Sequence, residues 1–279
     1  MARTKLTSPR SGEAFQAVDM PDVKISGGSL HYEISGDGVP VVFVSGLGGM
    51  GSFWDAQVRH LSKDFSIVTY DHRGVGRSNG QPPYSVQQWA EDLLGLFDHL
   101  HTECAHLIGH STGGVISKHF AAHHPERVRS LVLSGTWSRP DRRFCELFDL
   151  RKDVLIKLGE KAYHRFGNLL ASSSELIDTA EPPRSIASAN VLARIDALLA
   201  YDGEEASQRI GTPTLVVASA DDHIVPAYLS AQLAGGIKGA RLVKIKNGGH
   251  FFPRTRAKQY TRLLLEFWKS AEPAGKRYK

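Results

Sequence analysis

The stretch "HLIGHSTGGVIS", His106 to Ser117, places a small hydroxyl residue, Ser111, between glycines where one apolar run ends and another begins. His106 to Ile108 reads as a buried strand, and Gly114 to Ala122 as the helix after it. Between them, Gly109-His110-Ser111-Thr112-Gly113 has the form Gly-x-Ser-x-Gly at a strand-to-helix turn. Such a turn forces the serine into strained backbone, with strand and helix passing close behind it. A Cβ at either flanking glycine would clash. The hydroxyl is then held out at the sheet edge, and the N–H of Thr112 points into the same space. A serine hydroxyl is a poor nucleophile without a base, so this reading requires a base and an acid elsewhere in the chain.

The chain on either side fits a strand at that point. Val23 to Glu33 alternates around Gly27-Gly28 as a β-hairpin does. Val41 to Val44, Phe65 to Tyr70, Val128 to Leu133, Thr214 to Ala218 and Leu242 to Ile245 read as short core strands. Ser52 is expected to cap a helix carrying Phe53, Trp54, Val58 and Leu61. Ser85 and Gln88 have capping-box spacing before Leu93, Leu94, Leu96 and Phe97. A helix over Tyr260 to Trp268 closes the pattern. Strands alternating with helices imply an α/β fold with a parallel sheet covered on both faces. The rhythm breaks between Arg139 and Arg209. There Phe144, Leu147, Phe148, Val154, Leu155 and Leu158 follow helical spacing, as do Val191, Leu192, Ile195, Leu198 and Leu199. The predicted organisation is a core over 21–138 and 210–272 and a helical cap over 139–209, with a loosely ordered segment 1–20 and a basic tail 273–279. Pro182-Pro183 would permit a hinge in the cap. An insertion at the carboxyl edge of a parallel sheet lies over the place where ligands bind.

Of the 13 histidines, His250 is the candidate base. It lies in Asn247-Gly248-Gly249-His250-Phe251-Phe252-Pro253, after the last strand and on the same sheet edge as Ser111. His110 adjoins Ser111 in sequence but is badly placed to reach its hydroxyl. The acid should come from Asp221-Asp222, after the strand Thr214 to Ala218. Asp222 is preferred because it lies four residues before Pro226, and Asp221 reads as a turn or cap residue. The order Ser111, Asp222, His250 is that of an α/β-hydrolase triad. Ser45-Gly46-Leu47-Gly48-Gly49 follows the strand Val41 to Val44, and the N–H of Leu47 would pair with that of Thr112 as an oxyanion hole. No phosphate-loop or dinucleotide fingerprint is present.

The 279 residues, 41% hydrophobic and 23% charged, suit one large globular domain. Much of the net charge of +5 sits at the two ends, and no basic stripe interleaves with aromatics, so nucleic acid is not an expected partner. Cys104 and Cys145 read as free thiols of a reducing compartment. With no apolar h-region and no apolar run of roughly 18 residues, the expectation is a cytoplasmic protein without membrane contact, as monomer or homodimer. No cofactor and no metal is expected, because no Cys/His cluster has ligand spacing.

Together these residues resemble the α/β-hydrolase superfamily over nearly the whole chain. Asp71-His72-Arg73-Gly74-Val75-Gly76-Arg77-Ser78 is similar to the family's structural D-x-R-G-x-G-x-S loop, and Gly249-His250 to its terminal Gly-His. One departure is Ser45-Gly46, where the family usually has His-Gly. Val44 to Gly49 with Gly51-Ser52-Phe53-Trp54, Asn190 to Arg194 and Ala218 to Asp222 resemble the aminoacrylate/carbamate hydrolases of pyrimidine catabolism. The 3-oxoadipate enol-lactonases are the neighbouring subgroup. Gly109 to Gly114 also resembles the cofactor-free perhydrolases, against which the cap argues. The resemblance implies an α/β-hydrolase fold with a mostly parallel eight-stranded sheet, helices on both faces and a helical cap. It implies a serine-type hydrolase of a small ester, lactone or activated amide, carbamate or enamine. Alternatives using the same residues are a C–C bond hydrolase of ring-fission products and a small-molecule sensor with very slow turnover. Both neighbouring subgroups take anionic substrates, so one of Arg139, Arg142, Arg143 and Arg151 is a candidate carboxylate clamp. Ser45, Trp137, Tyr163 and Phe166 are further candidates for the pocket.

Overall fold

A computed structural model describes residues 22–173 and 186–271. The segment 1–20 expected to be loosely ordered, the tail 273–279 and Pro182-Pro183 lie outside the described residues. In chain order the elements are β1 (Asp22–Ile25), β2 (Gly28–Ser35), β3 (Val39–Val44), α1 (Asp55–Leu61), β4 (Phe65–Tyr70), β5 (Asn79–Gly80), α2 (Val86–His99), β6 (Ala105–His110), α3 (Thr112–His123), β7 (Val128–Ser134), α4 (Arg142–Ala171), α5 (Ser188–Leu199), α6 (Glu204–Arg209), β8 (Thr214–Ser219), α7 (Ala227–Gly236), β9 (Arg241–Ile245), α8 (Phe252–Thr255) and α9 (Ala257–Ala271).

The sheet runs β1-β2-β4-β3-β6-β7-β8-β9, with β5 paired to β2. From β4 to β9 every pairing is parallel, and the β1–β2 hairpin joins antiparallel at one end. The two-residue β5 makes the sheet nine-stranded rather than eight-stranded. It carries no apolar signal, because it is held by backbone pairing with Gly28 and Ser29.

The central strands read as unbroken apolar runs because both faces are covered. Val42, Val44, Leu107, Leu131, Leu133 and Val216 face one core with Trp89 and Leu93 of α2 and Val115 and Phe120 of α3. Val41, Phe43, Ile108, Val132, Leu215 and Val217 face the other, with Trp54, Leu61 and the α9 residues Leu264, Phe267 and Trp268. Each fully buried aliphatic side chain contributes roughly 1.5–3 kcal/mol. Ser85 caps α2, its hydroxyl accepting from the Gln88 amide at 3.0 Å. Ser52 caps nothing; it lies inside a 3-10 turn, Gly51–Trp54, that leads into α1.

Between β7 and β8 the described chain is helical: α4, α5 and α6. Asp141 caps α4 by accepting from the Phe144 amide at 2.8 Å. Phe144, Phe148, Arg151, Leu155 and Tyr163 form its buried stripe. At Gly159, with φ 80° and ψ 177°, the helix breaks and restarts in a new direction. No described helix is long and apolar enough to cross a membrane.

Candidate active site

β6 ends at His110 and α3 begins at Thr112, leaving Ser111 at the apex with φ 54° and ψ −118°. For a residue with a Cβ this backbone costs on the order of 1–3 kcal/mol and persists only if its surroundings enforce it. They do so from both sides. The Ser111 amide donates to the Ser134 carbonyl at 2.9 Å. The Ser111 carbonyl accepts from the amides of Gly114 and Val115 and from the Thr136 hydroxyl. The flanking glycines are required by contact. A Cβ on Gly109 would strike the Gly113 carbonyl, and one on Gly113 would strike the carbonyls of Val44 and Ser45.

His250 sits in the loop between β9 and α8. Its Nε2 lies 3.0 Å from Ser111 Oγ, and its Nδ1 lies 2.7 Å from Asp222 Oδ2. A carboxylate oxygen only accepts, so Nδ1 carries the proton and Nε2 is free to accept from the serine. The other oxygen of Asp222 accepts from the amides of Ile224 and Val225 at 2.9 and 2.8 Å. All three residues are covered: Ser111 is 5% exposed, Asp222 4% and His250 3%. His110 stacks on Phe53 and lies 4.8 Å from the His250 ring. Burial, with His250 nearby, holds the His110 imidazole well below its usual pKa. It therefore stays neutral and places no competing charge beside His250.

The loop after β3 closes over this group. The Gly49 amide donates to the Gly46 carbonyl at 2.9 Å, and a Cβ on Gly46 would lie 3.3 Å from that of Ser111. Gly46, the residue before Leu47, therefore lies against the serine. Thr112 opens α3, so its N–H is one of the helix-start donors without an intrahelical acceptor. The hydroxyls of Ser45 and Thr112 are buried without a hydrogen-bond partner.

The structure treats the remaining sequence candidates differently. Arg142 is turned to solvent, its side chain 94% exposed and 3.9 Å from Glu146. Arg143 is exposed and donates to the His223 carbonyl at 3.0 Å. Arg139 is exposed beside Glu204. Helical spacing explains this, since residues 142 and 143 fall off the stripe that buries residues 144, 148, 151 and 155. Arg151 lies on that stripe. It donates to the Tyr163 hydroxyl at 2.9 Å, packs on the rings of Phe148 and Tyr163, and leaves its Nε buried without a partner. Trp137 is fully buried against Phe144. Phe166 is half-buried on the same helix. Among the described residues no group of three His, Cys, Asp or Glu side chains converges to hold a metal ion.

A family model described as alpha/beta hydrolase fold matches residues 39–255. The chain belongs to the α/β hydrolase family. This hydrolase is 35% identical over 260 residues to a protein of Azorhizobium caulinodans whose assigned name is carbamate hydrolase RutD, covering 89% of the chain and 98% of that protein. A Caulobacter vibrioides protein of the same name is 35% identical over 263 residues, covering 87% of the chain and 96% of the relative. Among solved structures, the enol-lactonase from Burkholderia xenovorans superposes on the hydrolase with a TM-score of 0.83 at 26% identity, covering 89% of the chain and all of that structure.

Two contributions to the hydrolase's site escaped the sequence. Asp221 accepts from the Gly248 and Gly249 amides at 3.2 and 2.9 Å, bracing the loop that carries His250. Burial pushes its carboxyl up, but the Ser219 hydroxyl and the Gly249 and Gly248 amides outweigh that and hold it below the usual value. The His250 amide donates to the Ala171 carbonyl at the end of α4 at 2.7 Å, tying the inserted helices to the histidine. Neither contribution has a sequence signature, because all three bonds depend on backbone brought together by the fold.

Proposed function

We infer that the protein is a serine-type hydrolase of a small ester, lactone or activated amide or carbamate. The observation that carries the reading is the continuous chain of bonds from Asp222 through His250 to Ser111, with Ser111 held at positive φ. His250 Nε2 takes the proton as Ser111 Oγ attacks the carbonyl carbon. The amides of Leu47 and Thr112 receive the developing oxyanion, each such donor being worth about 3 kcal/mol in the transition state. The leaving group departs with the proton from His250, leaving an acyl-enzyme. Water, deprotonated by His250, attacks the acyl carbon and regenerates Ser111. Asp222 orients the imidazole and stabilises its charged form.

The helices between residues 139 and 209 serve as the cap that selects the substrate. Of the four arginines proposed as a clamp, Arg139, Arg142, Arg143 and Arg151, the last is the one that is buried, with an unpartnered Nε, which supports a carboxylate clamp made with Tyr163. Lactones and carbamates are favoured as substrates by the names of the relatives and of the enol-lactonase.

The test is steady-state hydrolysis of p-nitrophenyl esters of increasing acyl length, followed by small lactones and carbamates, beside Ser111→Ala and His250→Ala. Either substitution should lower kcat by on the order of 10⁴–10⁶. Activity within tenfold of wild type in Ser111→Ala would sink the reading. Arg151→Met should raise KM for a carboxylate-bearing substrate and leave KM for its neutral analogue unchanged.

A further inference from the structure

Arg194, on the inserted helix α5, is a large charged side chain with no exposed surface. Among the described residues no carboxylate pairs with it. Its guanidinium is instead spread over the core. Nε donates to the Leu47 carbonyl at 2.9 Å, Nη2 donates to His72 Nδ1 at 2.8 Å, and Nη1 reaches the Arg73 carbonyl at 3.4 Å. The group also lies 4.7 Å from the Trp89 ring. Burial and the neighbouring guanidinium hold the His72 imidazole well below its usual pKa, so its Nδ1 is available as an acceptor. Burying a charge without an opposite charge is a poor way to stabilise a helix–core contact, for which apolar packing serves better.

The Leu47 carbonyl is where this arrangement matters. Leu47 is flanked by Gly46, Gly48 and Gly49, which leave the loop wide conformational freedom. Gly48 is exposed, and a Cβ there would meet nothing within 4 Å. The ends of the loop are held by the Gly49-to-Gly46 bond and by the His72 amide, which donates to the Gly49 carbonyl at 2.8 Å. Its middle is held from α5.

We propose that Arg194 is a positioning residue for the oxyanion hole: by gripping the Leu47 carbonyl from α5, it makes seating of that helix a condition for presenting the Leu47 amide beside Ser111. The proposal rests on the serine-hydrolase reading. It makes the inserted helices part of the machinery for transition-state binding as well as a wall around the substrate.

The experiment compares wild type with Arg194→Met, Arg194→Lys and Asn190→Ala. Asn190 ties the same helix to the core through the Gly74 carbonyl at 2.7 Å but does not touch the loop. The readouts are the rate of Ser111 labelling by a fluorophosphonate, kcat and KM on p-nitrophenyl acetate, and Tm. Arg194→Met should label and turn over about 10- to 100-fold more slowly with KM within about threefold. Arg194→Lys keeps the charge but not the planar fork, and should also be slow while remaining folded, which covers the case in which the methionine variant fails to fold. Asn190→Ala should lower Tm yet label within about twofold of wild type. Wild type that labels, with folded Arg194 variants labelling equally fast, overturns this proposal alone. Wild type that does not label at Ser111 removes the hydrolase reading and this proposal with it.

Discussion

Asp222 gives one carboxylate oxygen to the His250 ring and the other to the amides of Ile224 and Val225, whereas Asp221 reaches only the backbone of Gly248 and Gly249 and the Ser219 hydroxyl. The adjacent carboxylates therefore act on His250 by different routes, one through its ring and one through its loop. Replacing Asp222 by Asn should lower kcat by on the order of 10⁴, because the imidazole loses its tautomer control and the stabilisation of its charged form. Replacing Asp221 by Ala should lower kcat by about tenfold, through displacement of the loop, and should lower Tm as well. Measuring kcat and Tm for both variants separates the roles; equal losses would contradict the division. Sequence narrowed the acid to this pair through the strand before it and favoured Asp222 by its distance from Pro226. It could not reveal what Asp221 does, since the partners are backbone amides 27 and 28 positions away.

Helix α4 illustrates both the reach and the limit of periodicity. The spacing of Phe144, Phe148 and Leu155 was readable, and the same stripe includes Arg151. A count of arginines obscures this, because Arg142 and Arg143 sit off that stripe with ordinary surface partners. The break at Gly159 was not readable, since a lone glycine in a helical pattern is common. Its φ and ψ belong to a region open essentially to glycine alone, and a Cβ there would meet no neighbour within 4 Å. The cost of Gly159→Ala is therefore one of backbone strain without a packing clash, roughly 1–3 kcal/mol. A thermal melt should fall by several degrees, at about 2–4 °C per kcal/mol. An unchanged Tm would mean that the helix straightens without loss. Elements built on side-chain pattern, such as α2 and the strands β3, β4, β6, β7 and β8, were legible. Elements built on pairing alone, such as β5, were not.

Several buried histidines give the whole molecule a definite response to acid. Burial, reinforced by Arg129, pushes the His106 pKa down to about 3, and burial likewise lowers those of His72 and His110 well below normal. In the unfolded chain each would titrate near its usual value of about 6.5. The unfolded state then binds protons that the folded state refuses, so stability is full above about pH 6.5 and falls as pH drops below it. The slope is on the order of 1 kcal/mol per pH unit for each such histidine. Melting temperature should decline steadily from pH 7 to pH 5, well before carboxylates protonate. His106→Leu should flatten that decline; an unaltered slope would show that His106 does not contribute.

The chain leaves the sheet for the inserted helices beside the point where it returns. The Gly203 amide donates to the Ser138 carbonyl at 3.2 Å, the hydroxyls of Ser138 and Ser207 meet at 3.0 Å, and Lys118 of α3 donates to the same Ser138 carbonyl at 2.7 Å. Departure and return thus share one fastened junction. Because that junction closes on its own contacts, a change of length in the excursion that spares Ala171, Asn190 and Arg194 is expected to leave the pairing of β7 with β8 in place.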